Sequence, residues 1–358
     1  MRIFFTNAFF PLDRYEGSRV HIEQLTKNLK DLGHEVWAPP ESPLSYGKKL
    51  SKDRWKRAKQ IMSMDVFYTR IEGRVPKFYR YMRVPWRLLF NKPLIWEINA
   101  APDLNFSGCS PESNSEIKAT DCELKQWAER VSVAICNTDG LVQYAGDLGI
   151  RNARRIELGS DPDMFSPQVK LAKGLVLPED KLNVFWCGNA SIVWHDFETI
   201  LKAAAKLQCQ SGIRFYIIGS LPTGLDLPSN TTILDSVPYT EMPAYMAAMD
   251  VGLAIYRKDT WSRYGVFTSP LKLFDYCASG LFVVASPIEQ VKRCIIDKEN
   301  GFVVPFGDHD ALAECLLHIL YHKSEIEKIR HRARTMVLEY YNWKRVARET
   351  EETIRMYC

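Results

Sequence analysis

Short apolar runs alternate with amphipathic stretches along almost the whole of the 358-residue chain. A short apolar run bounded by polar or turn residues predicts a buried strand, whereas apolar residues three or four positions apart predict a helix. The first half of the chain contains one such helix, VHIEQLTKNLKDLG, which Gly33 ends. The strands predicted there are MRIFFTN, HEVWAPP, MDVFYTR, PLIWEIN and VSVAICNT.

A second series of strands and helices begins with the apolar run LNVFWCG. Further strands are predicted in RFYIIGS, TTILDSV, VGLAIYR and LFVVAS, and helices in DFETILKAAAKLQ, TEMPAYMAAMD and SPLKLFDYCASG. Such alternation is typical of parallel sheets joined by crossover helices. We therefore predict an α/β protein with two doubly wound, Rossmann-like domains, residues 1–165 and 166–341, joined within the polar stretch 159–174.

This architecture also predicts where a ligand binds. Ligands of doubly wound sheets bind beyond the carboxyl ends of the strands. When two such domains face each other, that rule places the site in the cleft between them.

The composition is typical of a globular protein, since 46% of the residues are hydrophobic and can form a sizeable core. No apolar run approaches the roughly 20 residues of a membrane span. The N-terminal run is predicted to be a buried strand rather than a secretion signal. The nine cysteines are scattered and form no Cys-x-x-Cys pair. This pattern indicates reduced, buried thiols in a cytoplasmic protein.

The positive charge is concentrated in one segment. Residues 48–92 hold 14 Lys and Arg against 3 Asp and Glu, although the net charge of the chain is only +4. Arg80, Arg83 and Arg87 fall on one face of a predicted helix that also carries aromatic residues. Such a segment can lie on an anionic membrane surface, or it can be an ordinary helix with solvated arginines. Nucleic acid is not predicted as a partner, because no nucleic-acid-binding motif accompanies the charge.

Five stretches of the chain carry a family resemblance. They are, in order, EGSRVHIEQLTKNLKDLGHEV, IELGSDPDMFSP, SPLKLFDYCASGLFVVAS, NGFVVPFGDHDALAECLLHIL and EYYNWKRVARETEETIRMY. Together they resemble the GT-B glycosyltransferases, and specifically the retaining glycosyltransferase family 4 (group 1), over nearly the whole length. The resemblance implies the GT-B fold, in which two Rossmann-like domains face each other across a cleft. It also implies that a C-terminal helix, here residues 342–358, crosses back to the first domain.

In this family the third stretch belongs to the donor site, and its chemistry suits a nucleoside diphosphate sugar. A helix N-terminus binds a diphosphate through free N–H groups and a partial positive charge. Ser269, Pro270 and Leu271 stand where that helix would begin, and Lys272 adds a full charge near the phosphates. Asp275 occupies the position of the family's ribose-binding Glu and could accept hydrogen bonds from ribose hydroxyls. Alternatively, Lys272 and Asp275 form only a helical i,i+3 ion pair.

The chain departs from the family pattern in its second domain. Most members carry a Glu eight residues before the second acid, where this chain has Phe267. An Arg and a Lys-Gly pair that follow the domain's first strand are also replaced. The residues found there, which we assign to the donor site, are Gly188, Asn189, Trp194 and His195, with Asp196 in place of a glycine. His195 is predicted to contact phosphate or sugar, or else to pack as a helix N-terminal residue beside Trp194.

The first domain contributes further candidates. Gly17 and Ser18 are predicted to form a loop before a helix that starts near position 20, and the glycine allows close approach of a phosphate or acceptor. His21 lies on the first turn of that helix and could reach the cleft, or could be a packed surface residue. Glu97 and Asn99 end a predicted strand at its carboxyl side and resemble the family's catalytic loop. They are predicted to act at the active site, or to be simple helix or turn caps.

These observations predict a retaining, metal-independent hexosyltransferase that moves a sugar from a nucleoside diphosphate sugar to an acceptor hydroxyl, in glycan, polysaccharide or glycolipid assembly. The acceptor, a glycan or lipid-linked glycan, would bind the first domain, and residues 48–92 would hold the enzyme on the inner face of the membrane. No cofactor or metal is predicted, because Asp161 and Asp163 lie in the interdomain stretch and His318 and His322 lack a third ligand. The alternatives are a catalytically inactive GT-B module that binds nucleotide, membrane or glycan, and a GT-B sugar-nucleotide epimerase.

Overall fold

The protein is an α/β structure with two six-stranded parallel sheets. The computed structural model describes eight parts of the chain, residues 1–7, 17–38, 61–73, 92–103, 114–192, 194–258, 262–267 and 270–358. Ser269 and most of the basic segment 48–92 lie outside these parts.

The first sheet has the strand order β2-β1-β3-β4-β5-β6. The first strand of the chain, β1, therefore lies beside the edge strand β2, and the later strands follow on its other side. Its strands are β1 (Arg2–Asn7), β2 (Glu35–Trp37), β3 (Val66–Glu72), β4 (Leu94–Ala100), β5 (Val133–Cys136) and β6 (Ala153–Arg155). The helices described in this domain are α1 (Gly17–Asp31), α2 (Asn114–Ala128) and α3 (Asp139–Asp147). Strands such as β5 are buried along their whole length, as expected for a parallel sheet covered on both faces.

The second sheet has the order β12-β11-β10-β7-β8-β9. Its strands are β7 (Leu182–Asn189), β8 (Ile213–Ser220), β9 (Thr231–Leu234), β10 (Val251–Ala254), β11 (Phe282–Ala285) and β12 (Phe302–Val303). Its helices are α4 (Phe197–Lys206), α5 (Met242–Met246), α6 (Leu271–Ala278), α7 (Glu289–Cys294), α8 (His309–Tyr321) and α9 (Lys323–Tyr340). Both sheets therefore have the doubly wound order that the alternation of strands and helices predicts.

The last helix, α10 (Trp343–Arg355), returns to the first domain and packs against α1. Trp343 is 1% exposed and belongs to the same apolar core as Phe5 and Leu25 of the first domain. Asn342 caps the helix, because its side chain accepts a hydrogen bond from the backbone N–H of Arg345 at 2.9 Å. The helix thus completes the core of a domain whose sheet lies far earlier in the chain.

Several predicted boundaries were wrong. Helix α1 begins at Gly17 rather than near position 20, so Gly17 and Ser18 form its first turn and not a loop before it. Strand β9 ends at Leu234, because the residues that follow are too polar and turn-like to continue it. Strand β6 was not predicted, because its short segment contains two arginines and no apolar run. None of the helices in the described parts is long and apolar enough to cross a membrane.

Candidate active site

Helix α6 is the helix that was predicted to bind the donor, and it begins where the two domains meet. Pro270 is its N-cap residue and makes no side-chain capping bond, so the first N–H groups of the helix have no side-chain acceptor there. A side chain at Gly17 would place its Cβ 3.4 Å from Leu271 Cδ1. The start of α1 and the start of α6 therefore face each other across the interdomain cleft. Gly280, with a φ of +80°, follows the helix end in the left-handed conformation.

Lys272 on the first turn of α6 points its ammonium toward His195 and Trp186 of the second domain. Lys272 Nζ lies 3.1 Å from His195 Nε2 and 4.8 Å from the ring centroid of Trp186. Among the described residues, no carboxylate forms an ion pair with it. Burial lowers the pKa of Lys272 to about 8. A partly buried ammonium that meets no counter-ion among the described residues is chemically suited to receive an anion.

Gly188, at the end of β7, makes room for this ammonium. A Cβ added there would lie 2.9 Å from Lys272 Nζ, and the φ of +148° strains any other residue. The backbone oxygen of the next residue, Asn189, lies 2.7 Å from His195 Nδ1. Nδ1 therefore carries the proton, and the lone pair of His195 Nε2 accepts a hydrogen bond from Lys272. Burial, followed by the nearby Lys272 charge, lowers the pKa of His195 to about 3, so the imidazole is neutral.

The neighbours of His195 make contacts within the second domain. Trp194 is 9% exposed and packs in the core. Asp196 caps α4, because its carboxylate accepts hydrogen bonds from Thr199 N at 3.2 Å and Thr199 Oγ1 at 2.8 Å. The Asp196 carboxylate therefore points toward the start of α4. Capping this helix is a structural reason for an Asp at a position where the resembled family has a glycine.

Asp275, on the second turn of α6, is 3% exposed and lies between two hydroxyl groups. Ser160 Oγ donates to Asp275 Oδ1 at 2.5 Å, and Tyr239 OH donates to Asp275 Oδ2 at 3.2 Å. Burial raises the pKa of Asp275 to about 7, although both hydrogen bonds oppose that shift. The alternative of a helical ion pair was wrong, because Asp275 bonds the two hydroxyls while Lys272 bonds His195.

Known proteins with similar features are glycosyltransferases. Residues 196–352 match the family described as glycosyl transferase-like. No curated protein matches the sequence. A glycosyltransferase from Rickettsia africae is similar in structure, with a TM-score of 0.68 and 16% identity, over 99% of this chain and 98% of that one.

Two further solved structures are similar over the whole chain. Sucrose-phosphate synthase from Thermosynechococcus elongatus has a TM-score of 0.66 at 14% identity, over 99% of this chain and 98% of that one. HepE from Anabaena, in complex with UDP-glucose, has a TM-score of 0.66 at 15% identity, over 99% of this chain and 100% of that one. The chain has the GT-B glycosyltransferase fold. The sequence resemblance to GT-B glycosyltransferases is thereby confirmed.

The candidate site residues of the first domain form two groups in this GT-B fold. His21 Nε2 lies 2.6 Å from Glu97 Oε1, and the His21 ring packs 5.3 Å from the ring of Trp343. Glu97 lies in the middle of β4, and not at its end as predicted, and both residues are almost wholly buried. Burial would raise the pKa of Glu97, but His21 and the nearby Arg70 lower it overall. This pair lies under α10, and within the described residues no contact joins it to Lys272.

The second group lies nearer the cleft. Gly17 and Ser18 open α1, and Arg70 donates to the backbone oxygen of Ser18 at 2.9 Å. Asn99 is partly buried near the end of β4, and its side-chain amide lies 3.4 Å from the backbone oxygen of Glu97. These residues lie at the carboxyl end of the first sheet, the edge at which GT-B domains face each other.

The described residues form no cluster of three or more His, Cys, Asp or Glu side chains able to hold a metal ion. Asp161 and Asp163 instead form separate ion pairs, with Lys27 at 2.9 Å and with Lys344 at 2.6 Å.

Sequence reasoning missed three residues of the site, Ser160, Tyr239 and Trp186. Ser160 lies in the interdomain stretch, whose resemblance to the family was noted without a role for its side chain. Tyr239 lies in the connection between β9 and α5, and no motif distinguishes it. Trp186 belongs to the apolar run of β7, where an aromatic residue predicts only core packing.

Proposed function

We propose that the chain is a retaining glycosyltransferase that moves a sugar from a nucleoside diphosphate sugar to an acceptor hydroxyl, in glycan, polysaccharide or glycolipid assembly. The observation that carries the proposal is the Lys272 ammonium, which has no ion-pair partner among the described residues and lies at the start of helix α6. HepE, which shares the fold, binds UDP-glucose. A diphosphate at the corresponding place here would meet both a full charge and the positive end of a helix.

The donor diphosphate is proposed to lie between the N-terminus of α6 and Lys272. As the sugar leaves, negative charge grows on the diphosphate, and preorganised donors that stabilise this charge lower the barrier. Neutral His195 holds Lys272 through its Nε2 lone pair and leaves the ammonium's other protons for phosphate oxygens. The resemblance to retaining enzymes supports a step in which the leaving phosphate oxygen takes the acceptor proton. No metal ion is needed for this scheme.

The two ends of the donor are proposed to have different partners. Asp275 would accept hydrogen bonds from ribose hydroxyls, one turn of α6 beyond the phosphate site. The acceptor would bind the first domain near Gly17, Ser18 and Asn99, with residues 48–92 bringing the cytoplasmic enzyme to an anionic membrane that holds a lipid-linked acceptor. His21 and Glu97 would then act on the site through the packing of α1 and β4.

A second candidate function is a GT-B module that binds a sugar nucleotide without turning it over. Phe267 favours it, because this residue is 2% exposed and occupies the place of a Glu in most relatives. A buried phenyl ring cannot accept hydrogen bonds from a sugar, so one contact expected of an active donor site is missing.

Slow hydrolysis of donors tests the proposal. Purified protein would be incubated with UDP-, GDP- and ADP-sugars, with and without EDTA, and release of free sugar would be followed. We expect one donor class to be hydrolysed, equally with EDTA, and the rate to fall strongly in Lys272→Ala. The control is Lys202→Ala, which removes an exposed lysine that pairs with Glu198 on α4. Donor binding without any hydrolysis would favour the inactive module, and no binding at all would refute both.

A further inference from the structure

The Asp275 side chain is almost closed to solvent. It is 3% exposed, and each of its carboxylate oxygens already accepts a hydrogen bond from a protein hydroxyl, one from Ser160 and one from Tyr239. Each oxygen could accept a second hydrogen bond, but the carboxylate is so buried that a ribose hydroxyl can reach it only if one of the two hydroxyls moves aside.

The two hydroxyls are held very differently. Ser160 is completely buried, and its backbone is fixed on both sides, because Ser160 N donates to Tyr341 O at 2.9 Å and Trp343 N donates to Ser160 O at 3.0 Å. Its side chain reaches Asp275 Oδ1 at only 2.5 Å. Removing Ser160 from Asp275 would require movement of the crossing between α9 and α10, so Ser160 is the fixed partner.

Tyr239 lies closer to solvent than Ser160. It is partly exposed, lies in the connection between β9 and α5, and makes the longer of the two hydrogen bonds, at 3.2 Å. Its ring lies 5.3 Å from the ring of Phe165 in a tilted arrangement. A tyrosine side chain turns about two dihedral angles, so the hydroxyl can move away while the backbone stays in place.

We infer that the Tyr239 hydroxyl holds the position on Asp275 that a ribose hydroxyl would take, and that donor binding displaces it. This inference rests on the proposed function, since it takes Asp275 as the ribose partner. Tyr239 and a ribose hydroxyl are both O–H donors, so one can replace the other without leaving the buried carboxylate unsatisfied. Tyr239 is therefore a gating residue. Its hydroxyl satisfies the Asp275 carboxylate until a ligand hydroxyl replaces it, and a nucleoside without such a hydroxyl cannot replace it.

The inference predicts a selective gain of affinity. Tyr239→Phe keeps the ring and removes only the competing hydroxyl. Nucleoside diphosphates should then bind about tenfold more tightly, which corresponds to about 1.4 kcal/mol. Inorganic pyrophosphate, which has no ribose and needs only the Lys272 end of the site, should bind the variant and the unaltered protein equally.

Isothermal titration of both proteins with UDP, GDP, ADP and pyrophosphate makes this test. The matched control is Tyr144→Phe, which removes another Tyr–Asp hydrogen bond, at 2.8 Å to Asp121 in the first domain, and should leave every affinity unchanged. An unchanged or weaker nucleotide affinity in Tyr239→Phe overturns the inference alone, and so does an equal gain for pyrophosphate. If the unaltered protein binds none of the nucleotides, the proposed function fails as well.

Discussion

Lys272 Nζ faces His195 Nε2 across 3.1 Å, so a cation meets the lone pair of a neutral imidazole. In ordinary ion pairs a lysine meets a carboxylate and its charge is already compensated. Here a histidine orients the ammonium without neutralising it, and the positive charge remains available for a ligand. This difference makes the protonation of Lys272 measurable through ligand binding.

Binding of phosphate ligands should weaken at alkaline pH. Burial lowers the pKa of Lys272 from 10.5 to about 8, so the ammonium is charged below about pH 8 and loses its proton above it. Since phosphate binds the charged form, affinity for pyrophosphate should fall by about tenfold per pH unit above that pKa. Titration calorimetry at a series of pH values checks this. Lys272→Ala should bind weakly with no such slope, and a parallel slope in that variant would contradict the assignment.

Nucleoside binding should also depend on Asp275. Burial raises the pKa of this carboxyl from 3.8 to about 7, so it is neutral below about pH 7 and an acceptor-only carboxylate above it. Affinity for a nucleoside diphosphate should therefore rise as pH increases through about 7, and together with Lys272 this gives a maximum between about 7 and 8.

Asp275→Asn separates the two limbs of this profile. The variant should bind nucleoside diphosphates more weakly, by the roughly 1.5–3 kcal/mol of a hydrogen bond to a charged group, and should lose the rise through about pH 7. Its affinity for pyrophosphate should stay nearly the same. Equal losses for both ligands in binding titrations would show that Asp275 supports the whole pocket rather than the nucleoside.

The His21–Glu97 pair should contribute strongly to stability. Glu97→Ala removes one partner of a buried pair at 2.6 Å and leaves His21 unpaired beneath α10. Removing one member of a buried hydrogen-bonded pair leaves the other unsatisfied and costs roughly 1–3 kcal/mol, and urea unfolding should show a loss of about this size. Glu23→Ala, which breaks an exposed pair with Arg19 on α1, should cost at most about 1 kcal/mol. Lost turnover with an unchanged unfolding midpoint would instead indicate a direct catalytic role for Glu97.

The basic segment 48–92 should bring the protein to anionic membranes. Each lysine or arginine near such a surface contributes about 1 kcal/mol before screening by salt. The protein should therefore co-sediment with phosphatidylglycerol vesicles and not with phosphatidylcholine vesicles, and added salt should release it. Reversing Lys48, Lys49, Lys56 and Arg57 to Glu should abolish the binding and leave UDP affinity intact.

The control for this experiment makes the same change of charge elsewhere. Lys170, Lys173, Lys292 and Lys328 are exposed lysines of the second domain, and reversing them to Glu should leave vesicle binding largely in place. If both quadruple variants lose binding equally, net charge and not the segment is responsible. Equal recovery of the unaltered protein in the supernatant with and without anionic lipid would refute membrane association.

Much of the fold could be predicted from sequence, because strands and crossover helices each carry a local apolar pattern. The two parallel, doubly wound sheets follow from that alternation, and the donor helix follows from Pro270, Lys272 and Gly280, which lie close together in the chain. Contacts between distant residues left no such signal. Ser160 and Asp275 are 115 positions apart, and only the folded chain brings them together.

The same distinction explains the errors in the first domain. His21 and Glu97 were identified by residue type and position, but their mutual contact depends on how α1 lies on β4. The predicted start of α1 was wrong because Gly17 and Ser18 are poor helix formers by propensity. In the folded protein the first turn is held by Arg70, which donates to the backbone oxygen of Ser18 from β3.

The return of α10 to the first domain has a consequence for biosynthesis. Ribosomes make the first sheet early, yet Trp343, which fills the core beside Phe5 and Leu25, emerges only after the entire second domain has been translated. Until then the part of that core which Trp343 fills is exposed to solvent, and transiently exposed apolar surface is prone to aggregation. The first domain therefore cannot complete its core on the ribosome until the second domain has been translated, and the nascent chain exposes apolar surface for that time.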